Sequence, residues 1–116
     1  MNTMNNHVQL IGFLGADPEV KKFDNGRLMA KFPMATNDYY FDSKGERVTQ
    51  TEWHQVVAWG KLAELCQSKL KKGGKVAIIG KLSWYFNNDA EGNKHAMVNV
   101  QANEMHLLVK VDASEK

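Results

Sequence analysis

The chain has 116 residues, 43% of them hydrophobic and 24% charged. That is enough for one apolar core but not two, and it excludes disorder, collagen-like structure and coiled coil. Lysine and arginine number 15 against 13 aspartates and glutamates, a net charge of +2, which allows nucleic acid as a partner without demanding it.

Val8 to Leu14 alternates and closes on Gly15-Ala16-Asp17-Pro18, so it reads as a strand followed by a turn. Glu19 to Phe23 and Arg27 to Thr36 flank Asp24-Asn25-Gly26, where the Asn-Gly pair favours a tight hairpin. Pro33 donates no ladder hydrogen bond and suggests an edge or a bulge. Asn37 to Val48 is polar and reads as a loop, with Tyr39 and Tyr40 at its start. Thr49 to Trp59 alternates again, with Trp53, Gln55, Val57 and Trp59 on one face and His54, Val56 and Ala58 on the other. From Lys61 the period becomes helical, with Leu62, Leu65, Cys66 and Leu70 in one stripe and Gly73-Gly74 to end it. Val76 to Phe86 returns to period two, carrying Val76, Ile78, Gly80 and Leu82 inward. A turn at Asn87 to Asn93 leads into a last strand, Lys94 to Leu108. Five strands with one helix between the third and fourth is the element order of the OB-fold, a small all-β Greek-key barrel. The expected domain is residues 1–110, with a short polar end at 111–116.

Nothing in this order suggests catalysis. His7, His54, His95 and His106 are scattered over different strands without a carboxylate at a telling spacing, and no phosphate-cradling loop is present. No metal or cofactor is expected. Cys66 has no second cysteine for a disulfide and no neighbours at metal-ligand spacing, so packing is its expected role. No basic-then-apolar leader and no apolar run of membrane-spanning length appear, so a cytoplasmic, nucleoid-associated protein without a membrane partner is expected.

Binding nucleic acid without reading bases requires flat aromatic rings exposed along a groove, with cations near enough to meet phosphates. Tyr39, Tyr40, Trp53, Trp59, Trp84, Tyr85 and Phe86 lie on strands or loops, interleaved with lysines that include Lys21, Lys44, Lys61, Lys72 and Lys81. Tryptophans in strands are usually part of a core. Here, however, Trp53 and Trp59 share a face with Gln55, while Val56 and Ala58 suit the interior.

Val8 to Val20, with its Gly12-Phe13-Leu14-Gly15 and Asp17-Pro18, resembles the opening of the bacterial single-stranded-DNA-binding protein family. Thr51-Glu52-Trp53-His54-Gln55-Val56-Val57-Ala58-Trp59-Gly60-Lys61-Leu62-Ala63-Glu64 is similar to its third strand and helix start. Asn25-Gly26, Ala35-Thr36, Lys71-Lys72-Gly73 and Gly80-Lys81-Leu82 fit the same pattern. The resemblance implies an OB-fold homotetramer that wraps single-stranded DNA, independent of sequence, in replication, recombination and repair. It implies stacking at Tyr40, Trp53 and Trp59, phosphate contacts at Lys21, Lys61 and Lys72, and a contact between subunits at His54. One of Trp84, Tyr85 and Phe86 is expected to stack, and a one-residue shift of register decides which.

Three departures qualify this. Gln55 stands where the family carries a basic residue, and Ser83, Trp84 and Tyr85 replace basic positions, exchanging phosphate contacts for stacking surface. The sequence ends at Val109 to Lys116 where most members continue into a flexible linker and an acidic tip, so recruitment of replication or repair proteins through a tail is not expected. The alternative reading is a tail-less primosomal replication protein of the same fold, acting mainly through protein partners.

Overall fold

Small and branched residues at alternate positions build strands whose inner faces meet in a narrow barrel. The computed structural model describes residues 5–110, so the polar end at 111–116 lies outside the described residues. The elements run β1 (Val8–Leu14), β2 (Glu19–Lys22), β3 (Leu28–Phe41), β4 (Arg47–Trp59), α1 (Lys61–Lys69), β5 (Lys75–Asn88) and β6 (Lys94–Val109). The sheet order β1-β5-β6-β4-β3-β2, with a further β1–β3 pairing, closes five strands into a barrel and leaves β2 outside as a partner of β3. Among the described residues only β4 and β6 pair in parallel, through Val56–Val100 and Val57–Gln101. This is the Greek-key OB barrel that the element order predicts.

The Asn25-Gly26 turn does form a hairpin. Gly26 takes φ 86, and the Phe23 and Arg27 backbones are joined by a 2.8 Å hydrogen bond. The expected loop from Asn37 to Val48 is instead mostly strand. β3 and β4 continue to the pair Phe41–Arg47, and only residues 42–46 turn, where the Asp42 carboxylate accepts from the backbone N–H of Lys44 and of Glu46, each at 2.9 Å. Both faces of this stretch meet solvent, so no alternation of hydrophobicity marks it. Pro33 makes no bulge. It sits opposite Gln55, and its carbonyl accepts from Gly15 N–H at 3.0 Å where β3 passes from β2 to β1.

Phe32, Met34, Val56, Val76 and Ile78 are fully buried and form the core. Helix α1 covers it with Ala63 and Cys66. Leu65, expected in the apolar stripe, is 43% exposed, and Ala63 takes the buried position. Burial pushes the Cys66 thiol up to about 11, so this cysteine packs and stays protonated at neutral pH.

Both hairpins outgrow the barrel. The β1–β5 pairing ends at Val8–Gly80. Just beyond it, the Asn6 side chain stands in for a strand, accepting from Leu82 N–H at 2.9 Å and donating to Leu82 C=O at 3.0 Å. Leu82, expected inside, is 43% exposed because the barrel has ended there.

Closure depends on Gly12. A Cβ at this position would sit inside contact distance of the Ala35 carbonyl oxygen, on the backbone of the strand that shuts the barrel. Gly12→Ala should therefore destabilise by about 3 kcal/mol or more, at the upper end of overpacking costs. Thermal or urea unfolding checks this, and an unchanged midpoint would show that β1 and β3 do not close as tightly as described.

Candidate nucleic-acid interface

The β3–β4 ladder runs without a bulge from Met29–Trp59 to Phe41–Arg47, so side-chain parity holds along its whole length. With Phe32, Met34, Val56 and Ala58 inside, the outer face of β4 must carry Trp53, Gln55, Val57 and Trp59. The same parity puts Tyr39 and Phe41, opposite Thr49 and Arg47, on that face, and Tyr40, opposite Val48, on the other. On the β5–β6 arm, Ser83 and Tyr85 pair with Asn99 and Met97 on the outer face. Trp84 and Phe86 pair with Val98 and Ala96 on the inner one. The outer sheet therefore brings Tyr39, Trp53, Trp59 and Tyr85 together and leaves Tyr40, Trp84 and Phe86 behind it. From the Tyr39 rung to Trp59 the row spans roughly 33 Å of strand.

The rings differ in setting. Trp53 is 62% exposed and lies across Gly15, where a Cβ would collide with the indole. Trp59 is half-buried. Phe23 stacks on it with centroids 5.6 Å apart, and the Arg27 guanidinium lies 4.3 Å from its ring centre. Tyr39, 51% exposed, packs edge-on against Phe41 at 5.8 Å and carries Arg47 at 4.2 Å. Both arginines of the chain thus sit on aromatic rings of one face, where each guanidinium adds positive charge and stiffens its ring. Phe23, Arg27, Phe41 and Arg47 do not stand out in the sequence, because turns and cross-strand pairing rather than adjacency bring these partners together; parity counted along β4 from Trp53 is the signal that marks Arg47.

The cations expected from sequence are spread out. Lys21 lies over Phe23 at 5.0 Å, beside the Trp59 cluster. Lys31, opposite Val57 on the outer face, approaches Glu19 only at 4.0 Å. Lys61 opens the helix two residues after Trp59 and lines a shallow surface with Glu64, Leu65 and Ser68. The Lys72 backbone N–H is held by the Asp17 carboxylate at 2.8 Å, which places it by the turn that follows Gly15. His54 sits on the inner face, half-buried, with its Nε2 2.8 Å from Thr36 Oγ1.

Between the outer faces of β3, β4, β6 and β5 lies an open groove of about 350 Å³ bounded by Met29, Lys31, Trp59, Tyr85, Asn99 and Gln101. Its walls are flat rings and amides with a lysine at the rim, an arrangement that can stack a planar ring and attract an anion. Among the described residues no cluster of His, Cys, Asp or Glu is placed to hold a metal ion, and no helix is long and apolar enough to cross a membrane.

These settings separate two tryptophans that alternation treats alike. Trp53→Ala should cost about 1 kcal/mol of folding stability or less, as exposed positions do. Trp59→Ala should cost about 2 kcal/mol through the lost Phe23 and Arg27 contacts. Denaturant unfolding of the two variants checks this, and equal losses would contradict the difference in burial.

The single-strand binding protein family matches residues 5–108. Over 111 residues the chain is 40% identical to single-stranded DNA-binding protein 1 of Chlorobaculum tepidum, covering 93% of this chain and 67% of that protein. Over 103 residues it is 40% identical to the single-stranded DNA-binding protein of Neisseria meningitidis serogroup A, covering 89% of this chain and 59% of the other. Among solved structures it is similar to the Plasmodium falciparum protein in complex with single-stranded DNA, with a TM-score of 0.79, 26% identity and coverage of 92% and 95%. It is also similar to a deletion mutant of the single-stranded DNA binding protein from Thermus aquaticus, with a TM-score of 0.79, 27% identity and coverage of 89% of this chain and 50% of that one.

Proposed function

Because the chain belongs to the single-strand binding protein family, a family of binding proteins and not of enzymes, we propose that it binds and protects single-stranded DNA, independent of sequence, in replication, recombination and repair in the cytoplasm. The observation that supports this most is the outer aromatic row of Tyr39, Trp53, Trp59 and Tyr85, with Arg27 and Arg47 on its rings. Every base has a π-face, so such a row is indifferent to sequence, while cations along it draw the phosphates. Lys21 and Lys31 flank the Trp59 end of the row, and Lys61 and Lys72 extend the positive surface beyond it. Trp84 and Phe86, 67% and 71% exposed on the opposite face of the arm, offer stacking surface to a strand that passes round the hairpin.

We place the protein in a homotetramer. β1 turns Ile11 and Phe13 outward, 48% and 41% exposed, an apolar surface that a subunit contact would cover. His54, near the mouth of the barrel, supports such contacts by holding Thr36.

Titration with poly-dT under intrinsic tryptophan fluorescence tests the reading. Binding should quench emission, and Trp53→Ala should weaken affinity by about 1–3 kcal/mol with the fold intact. The affinity should fall with salt at a slope of about −0.7 per phosphate contact, and Lys21→Ala and Arg47→Ala should each flatten it by roughly that amount. No quenching and no affinity for poly-dT at low salt would overturn the proposal.

A further inference from the structure

The groove beside Trp59 contains one feature that a stacking platform does not need. Asn99 lies on the outer face of β6, paired with Ser83 and two residues from Gln101, and it lines the groove between Tyr85 and Trp59. The residue is half-exposed, yet its Oδ1 is withdrawn from solvent and has no hydrogen-bond partner. It is the only buried side-chain oxygen or nitrogen so placed among the described residues. Folded proteins rarely leave such an atom unpaired, and the exceptions are accounted for by strain, a bound water or ion, or a functional role. A rotation of the carboxamide about its soft torsion turns Oδ1 out beside Nδ2 at the groove wall, where the amide presents a donor next to an acceptor.

That is the complement of a nucleobase edge. The Watson–Crick edge of thymine offers N3–H beside O4, and an amide meets the pair with two hydrogen bonds in one plane. Tyr85 and Trp59 supply rings against which such a base can lie, and Lys31 at the rim can meet its phosphate. Stacking reads only the face of a base, whereas a carboxamide reads its edge. Resting on the single-strand reading above, we propose that this groove is an edge-reading subsite, in which one base lies against the rings and hydrogen-bonds through its Watson–Crick edge to Asn99. The rest of the track remains indifferent to sequence.

The test puts the change on the ligand. An oligo-dT and an oligonucleotide of the same length built from N3-methylthymidine, which keeps the stacking face but lacks the N3–H donor, are titrated against the whole protein. The same pair is titrated against Asn99→Val and Asn99→Ala, with thermal melts to show that each variant folds. The wild type should bind the methylated strand roughly three- to tenfold more weakly, the scale of a hydrogen bond between uncharged groups. Folded variants should bind both strands with the affinity that the wild type shows for the methylated one. Equal affinity of the wild type for the two strands overturns the subsite and leaves single-strand binding standing. So does a methylation penalty that persists undiminished in the folded variants. Failure of the wild type to bind either strand removes the single-strand reading, and the subsite with it.

Discussion

Thirteen unbroken rungs between β3 and β4 decide what this surface is. Each rung fixes which of two side chains faces out, and a single bulge anywhere along the ladder would have delivered the rings beyond it to opposite sides. Without one, Tyr39, Trp53 and Trp59 stay on one face from the tip of the hairpin to the barrel. The core depends on the same parity, since Phe32, Met34, Val56 and Ala58 are the alternate residues of those two strands. A substitution that shifted the register would therefore damage stability and the exposed surface together.

Where a strand has one buried face, its alternation was legible in the sequence. Val8 to Leu14, Thr49 to Trp59 and Val76 onward could be read as strands, and their order was enough to reach the OB-fold. Alternation puts Trp53 and Trp59 on one face with Gln55, opposite Val56 and Ala58. Legibility failed where both faces meet water. No alternation marks the parity of Asn37 to Phe41, where three aromatic residues follow one another and all are exposed, so the stretch resembles a loop and only the rung Tyr40–Val48 separates Tyr40 from Tyr39. It failed again for pairs made by tertiary approach. Arg27 on Trp59 is 32 positions distant in the chain, and Leu82 follows the inward pattern of Val76 and Ile78 into a region where the barrel no longer exists.

The two faces of the β5–β6 arm carry different chemistry. Outward are Ser83, Tyr85, Asn99 and Gln101, a mixture of ring and amide; inward are Leu82, Trp84, Phe86 and Val98, almost wholly apolar and exposed. A hairpin with exposed apolar rings carries a cost in solubility unless something covers them. Asn6 holds the arm at its root rather than along its length, and among the described residues the inner face beyond it meets solvent.

The two arms meet through two parallel rungs, Val56–Val100 and Val57–Gln101, and on the far side of the barrel through β1, which pairs with both β5 and β3. Beyond the barrel the outer part of each hairpin is ordered by its own ladder. The groove lies across the parallel seam, with Trp59 on one arm and Tyr85 on the other. Each ring therefore takes its orientation from its own ladder, whereas the spacing between the two rings is set by a seam of two rungs and by the closure of the barrel behind it.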